Sequence, residues 1–163
     1  MLIRNTSRDD ARLLAMLISE SNRDVALRFG LNADNCPRHP SFCNETSVLA
    51  DFARGERYFI LQDNGIAIGC VAYEKASEGL AYLNRLSVLP THRKKGGGER
   101  LVRHVIDHAR SSQISTISIG IIAAHAELKR WYLKLGFSEG ETKTFPHLPF
   151  AVSYLTYAVH DLV

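Results

Sequence analysis

The sequence lacks any long apolar run. Nowhere do about 18 apolar residues follow one another without interruption, the length a membrane span needs. The first ten residues, Met1 to Asp10, are too charged for a signal peptide and carry no apolar stretch of that kind. Cysteine is scarce: three residues, an odd number, exclude a disulfide framework and fit a reducing, cytoplasmic compartment. Surplus charge is small. Twenty Lys and Arg against seventeen Asp and Glu leave +3, too little to imply nucleic acid as a partner. There is no internal repeat, low-complexity tract or linker. What is present, 45% hydrophobic and 23% charged residues over 163 positions, is the balance of a soluble globular protein. A chain of this size buries roughly two-thirds of its unfolded surface. One domain over residues 1–163 is the expectation, with no membrane partner.

The pattern along the chain alternates between strand and helix signals. Leu2 to Asn5 reads as a short edge strand. Ser7 and Asp10 suit a capping box, and Ala11, Leu14, Ala15, Leu17 and Ile18 recur at helical spacing, predicting a helix to about Asn22. Leu31 to Cys43 is a loop broken by Asn32, Asn35, Pro37 and Pro40, followed by a helix over about Asn44 to Arg54. Arg57 to Gln62 and Ile66 to Tyr73 flank Asp63-Asn64-Gly65, a hairpin signal. Leu80 to Leu89 is a strand ended by Pro90. A helix runs to about Arg110 with Leu101, Val102, Val105, Ile106 and Ala109 on one stripe. Ile117, Ile119 and Ile121 alternate as a strand, Ala126 to Leu135 is a helix closed by Gly136, and about Pro149 to Val159 is a last strand. The order is β-α-α-β-β-β-α-β-α-β, a mixed α/β (α+β) domain built on a sheet flanked by helices.

The stretch Thr91 to Gly98 carries the chemistry. A strand feeds a basic turn, Arg93-Lys94-Lys95-Gly96-Gly97-Gly98, which opens a helix at Glu99-Arg100-Leu101. Free amides at a helix N-terminus and the positive end of its dipole make an anion site, and glycines allow close backbone approach. The other reading of the same residues is a tight strand–helix turn with a solvated basic rim. Neither familiar nucleotide motif fits. A P-loop needs Lys and then Ser or Thr after its last glycine, where Glu99 and Arg100 stand; the dinucleotide fingerprint needs a third glycine, where Leu101 stands.

Arg93-x-x-Gly96-x-Gly98 resembles the R/Q-x-x-G-x-G/A signature of the GNAT N-acetyltransferase superfamily, and Leu86-x-Val88-x-Pro90 resembles the strand that precedes it there. Trp131-Tyr132-Leu133-Lys134-Leu135-Gly136-Phe137 is similar to that family's Y-x-K-x-G-F segment. The two motifs stand in the family's order, with Tyr132 34 residues beyond Gly98 (132 − 98). The resemblance spans Leu2 to Tyr157 and implies a mostly antiparallel central sheet flanked by helices.

It also implies an activity: transfer of acetyl from acetyl-CoA to a primary amine of a small molecule or peptide, by direct attack in a ternary complex. On this resemblance Arg93, Lys94, Lys95, Gly96, Gly97, Gly98 and Glu99 hold the pyrophosphate, and backbone groups of Leu86 and Val88 hold the pantetheine arm and the developing oxyanion. His125 stands where the family often has a cofactor-contacting Asn, and imidazole can also hydrogen-bond. Tyr132 matches the general acid that protonates the departing thiolate, its other reading being a packing aromatic. Many relatives place Glu as base at the position held here by Asn84, which cannot accept a proton but can orient a water. Glu20, His39, His147 or a water chain remain open as the route for the amine's proton.

Several features stay outside that scheme. Cys36, His39 and Cys43 lie within eight residues, but no fourth ligand accompanies them, and a rigid loop lining the acceptor side is the preferred reading; no metal is expected. His104 and His108 share a helix face that reads as solvated. Phe145 to Phe150 is a stiff loop, either packed or part of the acceptor wall. Two rival functions remain: a non-catalytic acyl-CoA-binding or regulatory module on the same fold, and an anion- or nucleic-acid-binding module using Lys94-Lys95. A homodimer is expected by analogy only.

Overall fold

Alternating apolar residues become a sheet because each strand has something to bury. The computed structural model describes residues 1–160; the last three positions of the expected 1–163 domain lie outside the described residues. The strands are β1 (Leu2–Asn5), β2 (Arg57–Asp63), β3 (Ile66–Ser77), β4 (Leu80–Val88), β5 (Thr116–Ile122), β6 (Ser138–Lys143) and β7 (Val152–Ala158). The α-helices are α1 (Ala11–Arg28), α2 (Glu45–Ala53), α3 (Gly97–Ser111) and α4 (Ala126–Lys134). Among the described residues the sheet has seven strands in the order β1-β2-β3-β4-β5-β7-β6. Every pairing is antiparallel except β4 with β5. No helix of the described residues is long and apolar enough to cross a membrane.

Both faces of the sheet centre are covered. On one side α3 lays Leu101, Val102, Val105 and Ile106 against Phe59, Leu61 and Ile117, with Tyr132 of α4 and Leu135 just beyond its end completing that core. On the other, Leu14, Leu17 and Ile18 of α1 and Val48 of α2 pack on Tyr58, Ile60, Cys70 and Ala72. This double burial explains why β2 is a continuous apolar run rather than an alternating one. The Ser7–Asp10 capping box forms as the spacing predicts, with Ser7 N–H donating to Asp10 Oδ2 at 3.0 Å.

Five sequence expectations need correction. The first helix runs past Asn22 to Arg28, because the Asn22 amide folds onto Ile18 O (2.8 Å) and Ser87 Oγ (3.2 Å) while Val25 and Ala26 continue the buried side. β6 was absent from the predicted order; all six of its residues are exposed, so no apolar alternation marks it, and only pairing with β7 makes it a strand. The third strand continues through Glu74 and Lys75 to Ser77, and the last begins at Val152 rather than near Pro149. His104 and His108 are half-buried, not solvated: their rings pack edge-on against Phe59 at 4.5 and 5.5 Å, and His108 also against Tyr73.

Two irregularities in β4 open the functional region. Cys70 pairs with Ser87 but Ala72 pairs with Asn84, so Arg85 and Leu86 together oppose Val71 in a β-bulge. β4 and β5 pair only over Leu80–Thr116, Ala81–Ile117 and Tyr82–Ser118. Beyond those pairs the two strands diverge, and the gap between them is a wedge.

Candidate active site

One side of the wedge is a cavity of about 600 Å³. Its floor is Leu86, Ser87 and Val88 of β4, and its rim is the basic glycine loop at the start of α3. Gly96 caps α3 with φ +85°, a left-handed conformation that costs a β-carbon about 1 kcal/mol or more, although space around it is open. Gly97 and Gly98 matter for packing instead. A β-carbon at Gly97 would stand 2.8 Å from Leu61 Cδ2, and one at Gly98 would stand 3.2 Å from Trp131 Cζ2. The first amides of α3 have no carbonyl within the helix to bind, and the residues that carry them, Gly97, Gly98 and Glu99, line this cavity.

Of the residues the sequence assigns to cofactor binding, Leu86, Val88, Arg93, Lys94, Gly96, Gly97, Gly98, Glu99 and His125 line this cavity; Lys95 does not. Arg93 does not offer a free charge. Its Nη1 donates to Asp24 Oδ2 at 2.7 Å, its Nε to Val88 O at 3.1 Å and its Nη2 to Ser21 O. Lys94, with φ +63°, is the basic loop residue that lines the cavity without such a brace among the described residues. His125 is the N-cap of α4, its Nδ1 accepting from Leu128 N–H at 3.4 Å. Burial and the nearby Arg28 hold its imidazole below the ordinary value, so at neutral pH it is uncharged and its 3.3 Å approach to Glu127 is not an ion pair.

The other side of the wedge is a second cavity of about 260 Å³, which brings Asn84 and Tyr132 together with His39, Arg85 and Ile121. Leu86, His125 and Leu128 line both cavities, so the two open on one another through the gap. Tyr132 is nearly fully buried, and burial pushes its phenol above the ordinary value. It therefore stays protonated across the physiological range and is chemically a proton donor.

Of the base candidates, His39 lines this second cavity. Glu20 instead pairs with Arg23 on an exposed helix face, and exposed His147 lies against Phe145. Cys36 and Cys43 are free thiols in separate apolar clusters, and no group of three or more ligating side chains forms among the described residues.

Sequence reasoning missed the polar network behind Asn84. Asn84 Nδ2 donates to Glu56 Oε1 at 2.8 Å and to Glu74 Oε2 at 3.3 Å. Asp51 accepts from the Tyr58 hydroxyl, from Arg85 Nε at 3.0 Å and from Arg54 at 2.7 Å. Burial pushes Glu56 up; the Asn84 hydrogen bond opposes this, neighbouring Asp51 adds to it, and the carboxyl sits at about 7. A charged Arg85 inside the run Leu83-Asn84-Arg85-Leu86 was the available signal, since a charge there needs a buried partner.

A family model described as acetyltransferase (GNAT) family matches residues 25–137, more than half of the chain. An amino-acid acetyltransferase of Ralstonia nicotianae is 30% identical over 90 residues, which is 55% of this chain but 19% of that protein, so the chain spans about a fifth of its length. A ribosomal-protein-S18-alanine N-acetyltransferase from Escherichia coli superposes with a TM-score of 0.77 at 16% identity, covering 99% of this chain and 96% of the other. A PaiA N-acetyltransferase from Thermoplasma acidophilum in complex with coenzyme A gives 0.78 at 16% identity, covering 96% and 98%. At these identities the structures show a common fold.

Proposed function

The chain belongs to the acetyltransferase (GNAT) family, and from that premise we propose that it transfers acetyl from acetyl-CoA to a primary amine of a small molecule or peptide, by direct attack in a ternary complex. One observation carries this reading: the two cavities meet in the β4–β5 wedge, with the glycine loop at one end and Tyr132 at the other. Acetyl-CoA is the cosubstrate. The residues present suit it: free α3 amides and Lys94 for the pyrophosphate, and the β4 edge at Leu86 and Val88, which β5 leaves uncovered, for the amide-bearing arm.

The chemistry supplied is a thioester carbonyl. The amine nitrogen bonds to the acetyl carbon, the carbon–sulfur bond breaks and sulfur leaves as a thiolate. Tyr132 gives that thiolate its proton, and a β4 amide holds the transient negative oxygen. No carboxylate side chain lines the acceptor cavity among the described residues, so the ammonium gives one proton to water in the cavity mouth before it attacks, and the second proton, shed as the amide forms, restores the Tyr132 phenol through water. That same lack favours a second reading, a module that binds acyl-CoA without turnover.

We read residues 1–163 as one acetyltransferase domain. The three buried free thiols support a reducing, cytoplasmic setting. A homodimer rests on the family resemblance, and sizing in solution tests it.

The decisive test is titration calorimetry with acetyl-CoA on the wild type and on Gly96→Glu/Gly98→Glu, followed by an amine panel with thiol detection. Binding lost in the double variant, and thiol release lost in Tyr132→Phe, support the reading. Binding without thiol release on any amine supports the module instead, and no binding sinks both.

A further inference from the structure

The acceptor cavity is polar in one sense only. Among its lining residues Arg85 is the one side chain with a full charge, and no Asp or Glu joins it. The backbone goes out of its way to put Arg85 there. Its φ is +54°, in the left-handed region, at the β-bulge where Arg85 and Leu86 together oppose Val71 and the strand re-aims its side chains. Among the described residues the other non-glycine positions of that kind, Asn64, Lys94 and Gln113, sit in turns or loop ends, where such a conformation is ordinary. A strained residue inside a sheet persists only where its surroundings over-determine it, and such residues cluster at binding sites.

The surroundings here are specific. Arg85 donates from Nε to Asp51 Oδ2 at 3.0 Å, and Asp51 is 2% exposed. Arg54 divides itself between Asp51 at 2.7 Å and Glu56 at 2.8 Å, so Asp51 is the carboxylate that holds Arg85 in place. Anchored by Nε, the guanidinium plane is fixed while its side chain stays 21% exposed, and its terminal amino groups remain for the cavity. A planar fork held along one edge is the geometry that takes a carboxylate bidentately.

His39 adds a second donor. The Ser41 amide donates to His39 Nδ1 at 3.2 Å, and an amide N–H can only donate. The Ser41 hydroxyl, 2.7 Å from the same nitrogen, can turn its proton toward it as well, so in this arrangement Nδ1 is the acceptor. Burial keeps the ring neutral at neutral pH, so its single proton is on Nε2, the nitrogen left for the cavity. In this tautomer Nε2 cannot take the proton of an amine, which removes His39 as the base and makes it a hydrogen-bond donor. The cavity thus offers a cation and an N–H to an oxygen anion. Its volume, about 260 Å³, is less than half that of the cavity beside it and leaves room for a small molecule.

We propose that the acceptor carries a carboxylate close to the amine that is acetylated, in the manner of a free amino acid, and that Arg85 and His39 bind this carboxylate as specificity-determining residues. The inference rests on the acetyl-transfer reading and narrows its substrate class.

The test is a panel in which each amino acid is compared with its amide and its decarboxylated amine, read as kcat/KM by thiol release. The wild type is expected to prefer the carboxylated member by about tenfold or more. Arg85→Lys, which keeps the charge and loses the fork, collapses that ratio through KM. His39→Phe lowers it, and His39→Gln, which keeps an N–H near the Nε2 position, restores it; a merely structural role for His39 would not show that rescue. Melting temperature and acetyl-CoA affinity check that each variant is folded. Equal use of the three amines by the wild type, or an unchanged ratio in Arg85→Lys, overturns the proposal. If no amine releases thiol, calorimetry on the coenzyme A-loaded protein separates the two claims. Amino acids that bind where their amides do not, with binding lost in Arg85→Lys, uphold the carboxylate site and overturn the transfer; no such binding overturns the site.

Discussion

Arg93 is bound to Asp24, Nη1 to Oδ2 at 2.7 Å, across the mouth of the larger cavity. The same guanidinium reaches Val88 O at 3.1 Å, so one side chain ties α1 to the end of β4 and to the glycine loop. Its first effect is to hold the loop's shape, and only secondarily to supply charge. The two roles predict opposite results for Asp24→Asn. If Arg93 braces the loop, losing its partner loosens the loop and acetyl-CoA binds about fivefold more weakly, near 1 kcal/mol for a partly exposed pair. If its charge were the point, freeing it would tighten binding. Calorimetry on Asp24→Asn decides, with weaker binding expected.

Trp131 is the only tryptophan in the sequence, and its ring stands over Gly98 in the larger cavity. Its fluorescence should therefore respond to acetyl-CoA. In Gly98→Val the added methyls have no room beside Trp131 Cζ2, which would stand 3.2 Å from the new β-carbon. The expected outcome is a changed resting emission and an affinity lower by about tenfold, on the scale of an overpacked contact of 1–3 kcal/mol. An unaltered titration curve would mean that the cosubstrate does not pass between α3 and Trp131.

These contacts were only partly legible in the sequence. The glycine loop, the tyrosine segment and most strands announce themselves because local rules produce them: Asp63-Asn64-Gly65 must turn, and the apolar stripe of α3 must be buried. β6 gives no such signal, because an exposed strand with Glu139 and Lys143 looks like a loop until β7 pairs with it. The brace from Arg93 to Asp24 spans 69 positions, and the Arg85–Asp51 pair spans 34. Nothing local specifies either one. Asn84 shows the same limit from the other side: read alone it is a missing base, whereas the fold sets it against Glu56 and Glu74.

Tyr132→Phe removes one hydroxyl from a buried ring that also packs edge-on against Trp131 and Phe137 at 4.9 and 5.2 Å. Those contacts survive in Phe, so stability should change little. If the phenol protonates the leaving thiolate, kcat falls by about a hundredfold with acetyl-CoA affinity unchanged, the ordinary range for losing a general acid. Because burial raises the phenol's pKa, the wild type should also keep its rate well into the alkaline range rather than losing it as an ordinary tyrosine ionises. A variant as fast as the wild type would return Tyr132 to a packing role.

Glu56 provides a pH signature in folding itself. Its carboxyl, 4% exposed, sits at about 7 against an ordinary 4.5. Between those values the folded chain holds a proton that the unfolded chain has released. Raising the pH through this window therefore removes stability, on the order of 2 kcal/mol, because the bonds from Arg54 and Asn84 offset only part of the cost of a buried charge. Asp51 acts in a different window. Burial pushes it up, but the Tyr58 hydroxyl, Arg85 and Arg54 outweigh that and hold it below the usual range, so its contribution is lost only in stronger acid. Glu56→Gln keeps an oxygen for the Asn84 amide and cannot titrate. Glu56→Gln also gives up the bond from Arg54, a loss that is the same at both pH values, so urea unfolding at about pH 5 and about pH 8 should show the wild type losing stability between them and the variant losing much less. Parallel losses in both proteins would place the ionisation elsewhere.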